Sequence, residues 1–119
     1  MRREDSVRFR HMLDAAKEAI SFAKNKARNN LDNNRMLVLS LVKSIEIIGE
    51  AASKVTNETK EKFPKIPWAN MIAMRNRLIH AYFDIDLDVL WGTIIDDLPP
   101  FIDALESIIS SEILPNNHT

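Results

Sequence analysis

The stretch from Asn33 to Val55, NNRMLVLSLVKSIEIIGEAASKV, contains the apolar pattern on which the fold depends. Six of its apolar residues recur at alternating three- and four-residue steps: Val38, Leu41, Ile45, Ile48, Ala52 and Val55. This spacing places them on one face of an α-helix. Four more apolar residues widen that face: Leu37, Leu39, Val42 and Ile47. The pattern predicts a helix from about Asn33 to Val55 that is the central and most buried element.

The residues before this stretch predict a first helix and a turn. Asp5 or Ser6 is a suitable N-cap, and the helix should continue to about Arg28. Its apolar face holds five residues: Phe9, Met12, Ala16, Ile20 and Ala23. The sequence RNNLDNN, residues 28–34, follows and predicts a turn between the first and second helices.

The residues after the central helix predict a loop and a third helix. The segment TNETKEKFPKIP, residues 56–67, is polar and carries two prolines, so we expect a loop. Pro67 is well placed to open a third helix, because proline is favoured at the first helical position, and this helix should cover roughly Trp68 to His80. The segment FDIDLD, residues 83–88, comes next, and either Asp84 or Asp86 should cap a fourth helix.

The C-terminal apolar residues keep one helical phase from Leu87 across Pro99 and Pro100. This continuity favours one helix kinked near residues 96–98, because proline removes a backbone donor and clashes with the preceding turn. A break at Pro99-Pro100 into two short helices is the alternative. The sequence thus predicts an all-α, antiparallel bundle of four to five helices. It should form a single domain over residues 1–112, followed by a disordered tail at 113–119.

The composition limits the classes of protein to which the chain can belong. Its 119 residues suffice for one domain. Without cysteine, the chain offers neither disulfides nor thiolate metal ligands. The N-terminal MRREDSVRFRH has no apolar signal core, and no apolar run approaches the roughly 18 residues of a membrane span. We therefore expect a cytoplasmic protein with no membrane segment.

The charged residues are distributed unevenly along the chain. Residues 1–77 contain all 16 Lys and Arg against 9 acidic residues, whereas residues 78–119 contain 8 acidic residues and no Lys or Arg. One interpretation is that the acidic C-terminal helix neutralises its own basic neighbours. The other is a basic face for a polyanion and an acidic face for a partner. The distribution of charge alone leaves both interpretations open.

The stretch MRNRLIHAYFDID, residues 74–86, contains the candidate chemical groups. Arg75 occupies a core position of the third helix, where a guanidinium needs a carboxylate partner or an anionic ligand. A salt bridge to Glu46 or Glu50 is the structural alternative. His80 lies five residues later, about 140° around a continuous helix from Arg75. Tyr82, seven residues after Arg75, returns close to the same face.

The pattern Arg75-x4-His80-x-Tyr82 resembles the Arg-x4-His-x-Tyr motif of the HepT family, which belongs to the HEPN superfamily. Flanking segments are also similar to that family: IPWANMIAMRNRLIHAYFDID, SIEIIGEAA, RFRHMLDAAKEA and LWGTIIDDLPPFIDALE. The resemblance covers roughly residues 5–110. It implies a HEPN-type bundle and a homodimer with the active cleft at the interface. In such a dimer, Arg75 and His80 need not converge within one chain.

The resemblance further implies a toxin of a type VII toxin–antitoxin system that cleaves RNA without metal or cofactor. The 2′-hydroxyl would attack the adjacent phosphate and leave a 2′,3′-cyclic phosphate. His80 suits proton transfer, and Arg75 suits stabilisation of the charge on phosphate. The family partner is a minimal, MntA-like nucleotidyltransferase antitoxin, which would transfer AMP onto Tyr82. A phenol at this position would place a bulky anion beside Arg75.

Other residues receive weaker assignments. Asn76 and Arg77 are expected to line the cleft and touch RNA, and Glu46 and Glu50 are possible lining residues. With Lys43 and Lys54, the two glutamates are most simply a solvated, salt-bridged edge. Gly49 suggests a close helix approach, for example at a dimer contact. His11 and His118 are expected at the surface.

Two other functions fit parts of the sequence. The chain could be a non-catalytic HEPN module that binds nucleotide or substrate for a separate nucleotidyltransferase, but such a module has no need for Arg75, His80 and Tyr82 together. A plain helical dimerisation domain leaves the core position of Arg75 unexplained.

Overall fold

The computed structural model describes residues 1–80 and 84–112, and this part of the chain is helical with no strand. The elements in chain order are α1 (Arg3–Ala23), a 3-10 helix (Arg28–Asp32), α2 (Arg35–Lys54), α3 (Asn57–Lys62), α4 (Trp68–His80), α5 (Leu87–Gly92), a π-helical turn (Thr93–Asp97) and α6 (Leu98–Glu112). The predicted all-α class is confirmed. The tail at 113–119 lies outside the described residues.

The central helix α2 packs against both α1 and α4. Asn34 caps it by accepting a hydrogen bond from the Leu37 amide at 3.0 Å. All six residues of its predicted apolar face are buried. Thr56, just beyond the end of α2, contacts Asp5 near the start of α1, so the two helices are antiparallel. The predicted position and burial of this helix are confirmed.

Helix α1 begins at Arg3, so the prediction of an N-cap at Asp5 or Ser6 is wrong. Asp5 is the third helical residue, and its buried carboxylate points toward the end of α2. It accepts hydrogen bonds from the Thr56 amide at 3.1 Å, the Thr56 hydroxyl at 2.7 Å and the Thr59 hydroxyl at 2.5 Å. Asp5 thus accepts hydrogen bonds from residues at the junction of α2 and α3 and does not cap its own helix.

The far end of α1 also differs from the prediction. The helix ends at Ala23 instead of near Arg28, because Asn25 adopts a left-handed backbone conformation with φ 63°. Arg28 instead begins a 3-10 helix within the segment predicted as a turn, and Leu31 of that helix enters the core. Arg28 also pairs with Asp88 at 2.6 Å, which ties this connection to α5.

The polar segment after α2 contains the short helix α3, so the prediction of a loop over its first half is wrong. Thr56 caps α3 by accepting from the Thr59 amide at 3.4 Å, and Glu58 occupies its first turn. Six polar residues have no apolar periodicity, so the pattern gave no sign of this helix. The loop then continues to Pro67, whose carbonyl accepts a hydrogen bond from the Met71 amide. Helix α4 covers Trp68–His80, which is the predicted span.

The C-terminal elements form one long helix joined from α5, the π-helical turn and α6. Asp86 caps α5 through the Val89 amide at 3.1 Å, as one of the two predicted caps. The Leu98 amide bonds to the Thr93 carbonyl, so the helix is widened immediately before Pro99 and Pro100. The wider turn relieves the clash of proline rings with the preceding carbonyls. The predicted continuity, with an irregularity before the two prolines, is confirmed.

Ion pairs connect the acidic C-terminal segment to the basic N-terminal part of the chain. Lys17 of α1 lies 2.7 Å from Glu106 of α6, and Lys62 of α3 lies 3.4 Å from Glu112. These pairs, together with Arg28–Asp88, support mutual neutralisation as one use of the uneven charge. No described helix combines the length and the apolarity needed to cross a bilayer.

Replacing Asp5 with Asn should lower the free energy of unfolding by about 2 kcal/mol at pH 7, because a buried charged acceptor of three hydrogen bonds is lost. Urea denaturation followed by circular dichroism measures the difference. Glu4→Gln, on the exposed neighbouring position, is the control and should change stability little. Equal stability of the Asp5 variant and the wild type would contradict the structural role given to this carboxylate.

The contribution of the Asp5 carboxylate to the free energy of unfolding should depend on pH. Burial raises the pKa of the Asp5 carboxyl, but hydrogen bonds from Thr59 and Thr56 and the charge of Arg2 outweigh this effect and hold the pKa below its ordinary 3.8. The ionised form therefore stabilises the fold fully above that value, and the stabilisation is lost as the pH falls through the lower folded-state pKa. The stability difference between wild type and Asp5→Asn should shrink over that range.

Candidate functional site

Arg75 lies on the face of α4 that packs against α2, and its side chain is 20% exposed. Its Nη1 atom is 3.2 Å from Oε1 of Glu50, so the alternative of a salt bridge to α2 is present in the structure. The pairing is incomplete, because the buried Nε atom has no hydrogen-bond partner among the described residues. The hydrogen-bonding capacity of the guanidinium is therefore only partly used by the described residues.

Gly49 makes this position of Arg75 possible. A Cβ atom on Gly49 would overlap the Arg75 Cβ, lie 2.8 Å from its Cγ and lie 3.0 Å from the Met71 carbonyl oxygen. Only glycine allows α2 and α4 to approach so closely here. The close approach suggested by the sequence is therefore made by α4 of the same chain.

The Arg75 side chain lines an open cleft of about 390 Å³ between α1, α2 and α4. The lining residues are Arg8, His11, Lys43, Glu46, Ile47, Glu50, Ala51, Lys54 and Arg75. Lys54 lies 3.1 Å from Glu50, and this contact is the main reason why the pKa of Glu50 is lowered. The charges of Arg75 and Arg8 lower the same pKa further. Glu50 is therefore an ionised carboxylate among several cations.

The other predicted site residues lie in different places. Glu46 lines the same cleft as Arg75, whereas Asn76 and Arg77 are exposed on α4 and are not among its lining residues. The backbone of α4 remains helical through His80. Five residues of continuous helix put His80 about 140° around the axis from Arg75. Tyr82 and His118 lie outside the described residues.

The sequence interpretation did not identify Arg8 and His11 as cleft residues. They are three residues apart on α1 and therefore share one helix face. His11 is exposed, as expected, but it faces the cleft. The available signal was the pair of polar residues beside the buried Phe9 and Met12. Whether Arg8 and His11 face a cleft depends on which helix packs opposite α1, and the periodicity of α1 does not determine that.

The family model described as "Ribonuclease HepT-like" matches residues 12–108. The chain belongs to the HepT-like family. The "Putative RNase MJ1380" of Methanocaldococcus jannaschii is 38% identical to this HepT-like chain over 97 residues, which are 82% of the chain and 89% of that protein. The "Probable ribonuclease HepT" of Thermococcus cleftensis is 42% identical over 69 residues, 58% of the chain and 63% of that protein.

A third relative is similar over most of the chain. The "Putative RNase TTE0752" of Caldanaerobacter subterraneus subsp. tengcongensis is 31% identical over 102 residues, 86% of this HepT-like chain and 91% of that protein. No solved structure matches the chain significantly. The suspected family is thus confirmed, and the helical bundle described above is the HEPN-type fold of this member. Among its described residues, no group of three or more His, Cys, Asp or Glu is placed to hold a metal ion.

Replacing Gly49 with Ala should destabilise this HepT-like protein by about 1–3 kcal/mol, because the added methyl group forces α4 away from α2. Gly92→Ala is a matched control, since a Cβ there would meet only the Asp96 carboxylate at 4.0 Å. Gly92 has helical backbone angles, so alanine should be neutral or stabilise by up to about 1 kcal/mol. Thermal and urea denaturation of both variants test this. Two variants of equal stability would contradict the close packing at Gly49.

Proposed function

We propose that this HepT-like protein is a metal-independent endoribonuclease and the toxin of a type VII toxin–antitoxin system. The observation that carries the proposal is Arg75: a partly buried guanidinium with a free Nε, in an open cleft, at the first position of the family motif. The names of the relatives, among them a probable ribonuclease HepT, support RNA as the substrate. Its cellular targets would be tRNA or mRNA.

In the proposed reaction, the 2′-oxygen of a ribose forms a bond to the adjacent phosphorus while the bond from phosphorus to the 5′-oxygen breaks. The products are a 2′,3′-cyclic phosphate and a free 5′-hydroxyl. His80 handles the proton of the 2′-hydroxyl or of the leaving oxygen, since imidazole titrates near neutral pH. Arg75 stabilises the charge that builds on the phosphate oxygens. These two side chains supply both functions without a metal ion.

A homodimer completes the proposed site. The backbone of α4 supports this part of the proposal, because continuous helix separates Arg75 and His80 by about 140° within one chain. Two copies of the motif across a twofold axis would bring arginine and histidine from different subunits together at one phosphate. The active protein would then have twice the 13.6 kDa mass of the chain.

The proposed regulation acts on Tyr82. A cognate minimal, MntA-like nucleotidyltransferase would join the tyrosine oxygen to the α-phosphorus of ATP and release pyrophosphate. The new phosphodiester on Tyr82 would carry a negative charge. Because Tyr82 belongs to the same motif as Arg75, we propose that this charge competes with the RNA phosphate for the guanidinium. A non-catalytic HEPN module that binds nucleotide or substrate is the second candidate. This alternative fits the incomplete pairing of Arg75 equally well, but it gives His80 no role.

Arg75→Ala and His80→Ala should each reduce RNA cleavage by at least about 100-fold and abolish growth toxicity. Cleavage by the wild type should be unchanged in EDTA. The assay is cleavage of a labelled single-stranded RNA, with the cyclic phosphate identified by mass spectrometry. Arg3→Ala, an exposed arginine at the start of α1, is the control and should cleave normally.

Two results would overturn the assignment of Arg75 and His80. One is cleavage that persists in both alanine variants, and the other is a requirement for added divalent metal. Light scattering on the same samples should give a mass of twice 13.6 kDa. A fully active monomer would instead remove the composite site. Binding of nucleotide or RNA without cleavage by any preparation would favour the non-catalytic module.

Tyr82→Phe separates catalysis from regulation, because it removes only the hydroxyl group. The variant should still cleave RNA, yet it should remain toxic in cells that also express the nucleotidyltransferase. Incubation of the wild type with the antitoxin and ATP should add the mass of one AMP at a time, and the variant should gain none. Equal modification of the variant would show that another residue is the acceptor. Loss of cleavage would place the hydroxyl in the catalytic site.

A further inference from the structure

We propose that the cleft beside Arg75 is an RNA-backbone groove, in which Arg8 and Lys43 hold phosphates next to the one that is cleaved. This inference rests on the proposed ribonuclease function and extends it to substrate binding. Arg8 and Lys43 line the groove from α1 and α2, outside the Arg-x4-His-x-Tyr motif, so these two residues act on affinity and not on the bond-breaking step.

The charge of the groove is the first observation. Its lining contains four cationic side chains, Arg8, Lys43, Lys54 and Arg75, against the two carboxylates Glu46 and Glu50. Glu50 is already engaged by Lys54 at 3.1 Å and by Arg75 at 3.2 Å. A net positive, solvent-open surface of this kind attracts a polyanion.

The unused cations are the second observation. Neither Arg8 nor Lys43 forms an ion pair with any carboxylate in residues 1–80 and 84–112. Lys17, Arg28 and Lys62 each have an acidic partner, and what sets Arg8 and Lys43 apart from other cations without an ion pair is that both line the groove. None of the cations paired with the acidic C-terminal segment lines the groove, so those ion pairs leave the charge of the groove unchanged.

The spacing of the lining residues is the third observation. Lys43, Ile47, Glu50 and Lys54 follow one face of α2 at three- and four-residue steps, a length of about 16 Å from Lys43 to Lys54. A groove of this length can contact more than one backbone phosphate of a single strand. Arg8 faces Glu50 from α1, close enough for its charge to lower the pKa of that carboxyl.

These features favour a single RNA strand over a small anion. A mononucleotide would need only the cations around Arg75, whereas Lys43 lies about 10 Å along α2 from Glu50, which pairs with Arg75. A cationic groove that follows a flexible backbone is the usual way in which proteins hold single strands without reading sequence. A strand in this groove would lead directly to the guanidinium of Arg75.

The test compares two double variants with the same change in net charge. Arg8→Gln with Lys43→Gln removes the two groove cations, and Arg3→Gln with Lys24→Gln removes two exposed cations outside the groove. The probe is a short, fluorescent, single-stranded RNA with 2′-O-methyl riboses, which cannot be cleaved. Fluorescence anisotropy over a range of salt concentrations gives the dissociation constant and its salt dependence.

We expect the groove variant to bind the probe roughly 10-fold more weakly at low salt, with the slope of log affinity against log salt reduced by about 1.4, or 0.7 for each lost phosphate contact. On cleavable RNA, its KM should rise while kcat is largely kept. The control variant should match the wild type in both assays. Circular dichroism of both variants should show intact helices.

An unchanged salt slope in the groove variant, or an equal reduction in both double variants, would overturn the groove. Loss of binding to the nucleotidyltransferase with normal RNA binding would also overturn it and would assign this surface to a protein partner. If the wild type binds the probe in a groove-dependent manner but never cleaves RNA, the ribonuclease proposal fails and the groove stands. If the wild type cleaves RNA and the groove variant binds and cleaves RNA normally, the groove proposal fails and the ribonuclease proposal stands.

Discussion

The contact between Gly49 of α2 and Arg75 of α4 is the constraint on which the site depends. The absence of a side chain at Gly49 lets the two helices come together until the stem of Arg75 rests on the α2 backbone. Any larger residue would move α4 outward and carry the motif arginine with it. Glycine in a helix interior lowers helix stability by about 1 kcal/mol. At Gly49, this loss of helix stability accompanies the close packing that sets the position of the Arg75 side chain.

The guanidinium held in this way is only partly compensated. Burial of a charge is unfavourable unless it is paired, and Glu50 supplies one partner while Lys54 balances Glu50 in turn. The remaining Nε donor is buried without a partner, and an unsatisfied donor of this kind costs about 1–3 kcal/mol. In the proposed site, a phosphate would be bound by the exposed part of the same guanidinium.

The basic residues include some that are paired within the fold and others that face the cleft. The acidic C-terminal segment forms ion pairs with Lys17, Arg28 and Lys62. Arg8 and Lys43 face the cleft instead, on the side of the bundle where Arg75 lies. The two interpretations of the uneven charge are therefore compatible, because neutralisation within the fold uses one part of the basic residues and leaves the other part available to a polyanion.

The sequence alone determined the helical class, the central position of α2, the span of α4 and the continuity across Pro99 and Pro100, since these follow from periodicity and proline chemistry along one helix. It also carried the family motif. Only the tertiary structure showed that Asp5 serves α2 and α3 instead of capping α1, and that Arg8 and His11 share a cleft with Arg75. Each of these contacts joins residues distant in the chain. A pattern within one helix specifies which residues share a face, but the helix opposite that face is fixed only when the bundle packs.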